Sequence, residues 1–224
     1  MSVYFVGGTG TDVGKTYVTA LLARQQVAAG HGVLALKPVA SGVPPMQSSA
    51  FASTDTAQLL DAQGLKVNAA NVEACSPWRF EQPLSPDMAA AAERRSLTLD
   101  ALADWVRNRI AATPASGAVL IEGVGGVMSP MTSDALNLDL IKILGCPVIL
   151  VTGSYLGALN HALTALEALK AHKLDVKAVV LNESVGSTVR FEATLDSLRR
   201  FAATHPITPL RRDARRVEID LLGG

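Results

Sequence analysis

Gly8-Thr9-Gly10-Thr11-Asp12-Val13-Gly14-Lys15-Thr16 decides how the chain is read. The apolar run Val3 to Val6 precedes it. Good helix formers with Val18, Leu21 and Leu22 among them follow, up to the glycine stop Gly30-His31-Gly32. The order is therefore strand, glycine-rich turn, helix. Gly14-Lys15-Thr16 is the core of a phosphate-binding loop, or P-loop. In such a loop backbone N–H groups and the helix N-terminus cradle phosphate, the lysine reaches the outer phosphates, and the threonine hydroxyl sits where Mg²⁺ binds. Strict spacing asks for a glycine at position 9. Thr9 stands there and Gly8 is one residue further back, so this loop is one residue longer. An ordinary turn is the competing reading, and the strand before and helix after weigh against it.

Working outward, the same alternation recurs. Val33 to Leu36 reads as a buried strand ending in Lys37-Pro38. Ala118 to Ile121 ends in Glu122-Gly123, Pro147 to Val151 in Thr152-Gly153, and Val176 to Leu181 in Asn182. Helical spacing appears over Asp55 to Ala62, Met88 to Glu93 after Ser85-Pro86, and Leu99 to Ile110 after Thr98. It recurs over Leu136 to Leu144, Leu159 to Leu169 and Phe191 to Phe201. Continuously apolar strands alternating with helices imply an α/β fold, a parallel sheet with helices on both faces. Residues 38 to 53, rich in Ser, Pro and Gly, read as a loop. No repeat or linker divides the chain, so residues 1–224 read as a single domain.

Composition removes other classes. The 224 residues are 49% hydrophobic and 18% charged, enough to bury a core and too apolar for intrinsic disorder. Twenty basic and 20 acidic residues cancel, so no global field draws the chain to nucleic acid or anionic lipid. The basic run Arg211 to Arg216 reads as solvated surface. Cys75 and Cys146 have neither disulfide-framework nor metal spacing and read as packing residues. No segment has the length of a membrane span, and Met1 to Phe5 lacks signal-peptide features, so a cytoplasmic protein is expected.

In a parallel sheet the carboxyl ends of the strands face the ligand crevice. Lys37 is expected there, on a strand beside the P-loop strand, with its ammonium near the phosphates; a lysine snorkelling to the surface is the alternative. Glu122, followed by Gly123-Val124-Gly125-Gly126, is the acidic partner expected near a P-loop Mg²⁺. Asp55 by itself is explained by N-capping, with Gln58 spaced as a capping box. Gly153 to His161 offers a second helix N-terminus suited to an anion such as a carboxylate, while Asn160 and His161 also fit capping or core hydrogen bonding. Asn182 reads either as a contact to a nucleobase edge or as a strand-ending residue. His31, His172 and His205 read as surface residues.

Taken together, the sequence resembles the dethiobiotin synthetase family. The resemblance covers Val3 to about Asn182. It rests on the stretch Gly8 to Thr16, Lys37-Pro38-Val39-Ala40-Ser41-Gly42, Ser53-Thr54-Asp55, Ser85-Pro86, Glu122 to Gly126, and Leu156-Gly157-Ala158-Leu159-Asn160-His161. It implies an ATP- and Mg²⁺-dependent cyclo-ligase that joins 7,8-diaminononanoate and CO₂ through a carbamate and a carbamic-phosphoric anhydride.

By that resemblance Lys37, Lys15 and Thr11 serve the chemistry, and Thr16, Asp55 and Glu122 hold Mg²⁺. The nucleotide lies along Asp12, Val13, Gly14, Lys15, Thr16 and Tyr17, with Asp55, Glu122, Gly123, Val124 and Gly125 around it and Asn182 at the base. Ser41 contacts the diamine, as does Thr11. In a homodimer, Gly157, Ala158, Leu159 and Asn160 of the neighbouring subunit bind the substrate carboxylate. Two departures stand out: Asp12 replaces a common Glu, and His205-Pro206-Ile207-Thr208-Pro209-Leu210 matches the family's base-binding loop only loosely.

A ParA/MinD-like ATPase switch is the alternative. Such proteins carry an extra lysine early in the loop, where this chain has Gly10, and no amphipathic membrane-binding C-terminus is evident. A cobyrinate-synthase-type amidoligase would normally bring a glutaminase domain for which 224 residues leave no room.

Overall fold

Apolar runs with no polar alternation need cover on both faces, and the computed structural model, which describes residues 1–114 and 116–223, uses them so. The strands are β1 (Ser2–Gly8), β2 (Val33–Leu36), β3 (Val39–Ala40), β4 (Trp78–Arg79), β5 (Ala118–Glu122), β6 (Val148–Gly153), β7 (Val176–Asn182) and β8 (Ile207–Leu210). The helices are α1 (Lys15–Ala28), α2 (Asp55–Ala62), α3 (Ala69–Cys75), α4 (Pro86–Ala92), α5 (Leu99–Ala111), α6 (Asn137–Leu144), α7 (Ala158–Ala171) and α8 (Phe191–Phe201). A 3-10 turn spans Ser49–Ser53.

The main sheet is parallel in the order β2-β5-β1-β6-β7-β8. Alternate residues of β1 serve opposite faces. Phe5 joins the core under α4 to α8, and Tyr4 and Val6 join the one under α1, α2 and α3. Every residue of β5 and β6 is buried. Each large apolar side chain so buried contributes about 1.5–3 kcal/mol.

The order corrects one expectation. β2 does not lie beside β1; β5 sits between them. Pairing of Leu36 with Ile121 and of Val6 with Glu122 then brings Lys37, the P-loop and Glu122 to one edge, with Glu122 in the middle. The loop read over 38 to 53 also contains β3, which pairs in parallel with β4, and the 3-10 turn. Helix α3, capped by Asn68, lies in a stretch where no element was expected. Residues 207–210, read as a loop, form the edge strand β8. Phe201 ends the apolar spacing of α8 but is 69% exposed.

The basic tail is surface only in part. Arg211 pairs with Glu183 and Glu192 and lies over the Phe191 ring. Beyond it Val217 and Leu221 are buried among residues of β1, α1 and α2. Gln25 accepts from the Val217 N–H at 2.6 Å and donates to its carbonyl at 3.0 Å, and the Tyr4 hydroxyl donates to the Leu221 carbonyl. Both cysteines are buried and free, as packing residues should be.

Candidate active site

The P-loop turns from β1 into α1 through two left-handed residues, Asp12 at φ 57° and Gly14 at φ 94°. Gly14 caps α1. Lys15, the first residue of that helix, is buried, and its ammonium folds back to the Gly10 carbonyl at 2.7 Å. Burial, reinforced by the nearby Lys37 charge, lowers its pKa to about 8.

Lys37 is 4% exposed, which overturns the snorkelling alternative. Its Nζ lies 2.7 Å from Glu122 Oε1 and 2.7 Å from Asp55 Oδ2, and reaches the Gly123 carbonyl at 3.5 Å. Burial alone would lower its pKa, but the charges and hydrogen bonds of Glu122 and Asp55 outweigh it and hold the ammonium protonated. Burial would likewise raise the Asp55 carboxyl; the Lys37 charge prevails and holds it below its ordinary value.

Asp55 is not the N-cap of α2. Thr54 takes that place, its hydroxyl accepting from the Ala57 N–H at 3.2 Å. Gln58 donates to the Ser53 carbonyl instead of closing a capping box. As the first helical residue, Asp55 is released to turn toward Lys37.

The Thr16 hydroxyl donates to Glu122 Oε1 at 2.7 Å. The other carboxylate oxygen, Oε2, is buried without a hydrogen-bond partner. An orphaned carboxylate oxygen beside a hydroxyl and a second carboxylate suits a hard, oxygen-seeking cation. Thr16, Asp55 and Glu122 thus fit Mg²⁺, although no group of three or more His, Cys, Asp or Glu side chains gathers for a metal among the described residues.

A cavity of about 620 Å³ opens in front of these groups. Thr11, Asp12, Gly14, Lys15, Thr16, Lys37, Ser41, Asp55, Val124 and Gly125 line it, together with Ala40, Gly42 to Pro44, Ala50, Ser53 and Thr54. Gly123 supports it from behind: a Cβ there would lie 2.8 Å from the Phe5 ring.

Other expected site residues fall elsewhere. Tyr17 does not line the cavity; its hydroxyl donates to the Ala214 carbonyl and ties down the tail. Val13 is buried, and its carbonyl accepts from Asn182 Nδ2 at 3.1 Å, so Asn182 clamps the back of the P-loop. Gly157 caps α7 at φ 94°, and Ala158 and Leu159 begin that helix. Asn160 lines a second cavity of about 430 Å³, with Thr9, Gly10, Thr11, Gly126 to Pro130, His161, Thr164 and Ala165. Thr11 lines both cavities. His161 is not a core histidine: it is exposed and pairs with the Tyr155 hydroxyl at 2.8 Å.

A P-loop between the central strands of a parallel sheet, with a lysine and two carboxylates at its mouth, defines a P-loop nucleotide-binding protein. A family model described as an AAA domain (AAA_26) matches residues 2–210. The ATP-dependent dethiobiotin synthetase BioD of Methylobacterium nodulans is 51% identical over 211 residues, covering 94% of each chain. That of Phenylobacterium zucineum is 46% identical, covering 92% of this chain and 87% of the relative. The chain belongs to the dethiobiotin synthetase family. Among solved structures, a ParA family ATPase from Chlorobium tepidum superposes with a TM-score of 0.54 at 15% identity, over 94% of this chain and 83% of that one. At that identity the likeness concerns the fold. No helix among the described residues is long and apolar enough to cross a membrane.

Proposed function

We propose that this cleft closes the ureido ring of dethiobiotin from 7,8-diaminononanoate, CO₂ and Mg²⁺–ATP, in the cytoplasm. The observation that carries the reading is the convergence of Lys37, Asp55, Glu122 and Thr16 at the mouth of the P-loop, open to a cavity that runs on to Thr11 and Ser41. Family membership supplies the substrates.

The P-loop amides and the N-terminus of α1 would take the phosphates, with Lys15 leaving the Gly10 carbonyl for the outer ones. Asp12 and Gly14 shape that cradle. Thr16, Asp55 and Glu122 would hold Mg²⁺, which supplies charge neutralisation across the phosphates. One amine of the substrate adds to CO₂ and loses a proton, giving a carbamate. A carbamate oxygen attacks the γ-phosphorus and ADP leaves. The second amine attacks the carbonyl carbon and loses a proton, the C–O bond to phosphate breaks, and inorganic phosphate departs with closure of the cyclic urea. The carbamate oxygen is already anionic, so the step needs no histidine base. It needs alignment and positive charge, which Lys37 and Lys15 provide. Thr11 and Ser41 would orient the diamine end.

The substrate carboxylate would lie against Gly157 to Asn160 of a second copy of the chain. The exposed N-terminus of α7 favours this, since Leu156 just before it is 88% exposed and these residues stand outside the main cavity of their own chain. Mixing the protein with ATP, Mg²⁺, bicarbonate and diaminononanoate should release ADP and cyclic urea in equal amounts. ADP release independent of the diamine would instead indicate an ATPase switch.

A further inference from the structure

The loop after Glu122 leaves few of its polar groups to chance. Gly123 N–H donates to the Val6 carbonyl at 3.1 Å, Gly126 N–H to Ser129 Oγ at 2.8 Å, and Val127 N–H to the Gly8 carbonyl at 2.9 Å. One side chain organises the rest. Asn137, the first residue of α6, is 1% exposed. Its Nδ2 donates to the Val124 carbonyl and, at 2.7 Å, to the Gly126 carbonyl, while its Oδ1 accepts from the Val124 N–H at 3.4 Å. The carboxamide thus grips both sides of the Gly125 peptide unit. Gly125 sits at φ 64° and lines the main cavity with Val124. Among the described residues its N–H is the loop amide that takes no partner in the chain.

We propose that Asn137 is a positioning residue for the reaction, resting on the function proposed above. It fixes the Gly123-to-Gly126 loop so that the Gly125 peptide faces the bound diamine or its carbamate. At the other end of the loop, the Gly123 carbonyl stays within reach of Lys37. The placement is demanding. A Cβ on Gly123 would lie 2.9 Å from Asn137 Oδ1, and one on Gly125 would lie 2.4 Å from Ser129 Oγ. A buried carboxamide that satisfies three backbone groups is costly to misplace, because losing it strands all three without water. Among the described residues the Asn137 side chain makes no hydrogen bond to the P-loop, and it does not line the main cavity.

The test uses full-length Asn137→Leu, which keeps the branched shape at somewhat larger volume and removes every side-chain hydrogen bond, and Asn137→Asp, which keeps the shape and removes the donors. Both should raise KM for diaminononanoate and lower kcat, for a combined loss in kcat/KM of about a hundredfold, as misalignment commonly costs. The Kd for Mg²⁺–ATP should change less than KM for the diamine, because the P-loop amides and Lys15 are untouched. Hydrogen exchange of the peptide covering residues 123–128 should quicken in both variants, and in Asn137→Asp even if Asn137→Leu folds poorly. A purely structural role would lower the folded fraction and kcat together with KM for the diamine unchanged. That result, or unchanged exchange in the loop, overturns the inference. Wild-type protein that forms no cyclic urea overturns the function instead, and the two failures are separable.

Discussion

The Lys37 ammonium lies 2.7 Å from Glu122 Oε1 although 85 residues separate the two in the chain. Parallel pairing of β2 with β5 is the cause, since Leu36 opposite Ile121 leaves the next residue of each strand side by side at the sheet edge. Asp55 then closes on the same ammonium from the start of α2.

Removing that charge separates binding from turnover. Lys37→Gln should cut kcat about a hundredfold to a thousandfold, the usual loss for one preorganised charge. ATP affinity by calorimetry should fall far less, because Lys15 and the loop amides remain. Urea denaturation should also show a loss of about 3 kcal/mol, from the buried Glu122 carboxylate left without its partner.

Lys15 should make nucleotide binding pH-dependent, since the proposed function places it at the outer phosphates. In the free protein its pKa is about 8, lowered by burial and then by Lys37. A bound triphosphate favours the charged form and raises it. Binding above pH 8 should therefore take up a proton, and affinity should fall as pH rises through 8. Calorimetry at pH 8.5 in two buffers of different ionisation enthalpy reads the uptake directly. Lys15→Arg, always charged, should abolish it.

Much of this site was legible because strand ends in a parallel sheet converge, so Lys37, Glu122 and the P-loop could each be placed at the crevice from a local apolar run. The order of strands was not legible. It depends on which crossover passes over which strand, and so β5 between β1 and β2 came only with the structure. Asp55 and Thr54 both have cap chemistry, and the sequence pattern could not say which oxygen turns inward. Strands β3 and β4 are two residues each and carry no periodicity. Asn137 looks like any helix start, since its partners are backbone groups 11 to 13 residues away. In the tail the charged residues hid two apolar anchors, Val217 and Leu221, four positions apart.

Exchanging the cap tests the placement of Asp55. Thr54→Ala should destabilise the protein by about 1 kcal/mol, and Thr54→Ser should restore most of it. Both variants should keep their Mg²⁺ dependence. Asp55→Asn should instead raise the Mg²⁺ requirement strongly, alongside a loss of stability from leaving the buried Lys37 ammonium with Glu122 alone.

Gly14 and Asn182 should couple. A Cβ on Gly14 would lie 2.1 Å from Asn182 Nδ2, at a φ of 94° that L side chains avoid. Gly14→Ala should cost about 1–3 kcal/mol and most of the nucleotide affinity. Adding Asn182→Ala should recover part of the stability by relieving the contact, so the double variant is less destabilised than the sum of the two singles.

The proposed chemistry sends a carbamate oxygen to the γ-phosphorus, and that oxygen leaves with the phosphate. Turnover begun with ¹⁸O-labelled CO₂ in unlabelled water, before the label exchanges, tests this directly by mass analysis of the inorganic phosphate. One ¹⁸O atom in each phosphate, formed only when diaminononanoate is present, is the expected result. Unlabelled phosphate, or phosphate released without the diamine, would mean that water is the nucleophile and would contradict the role assigned to this cleft.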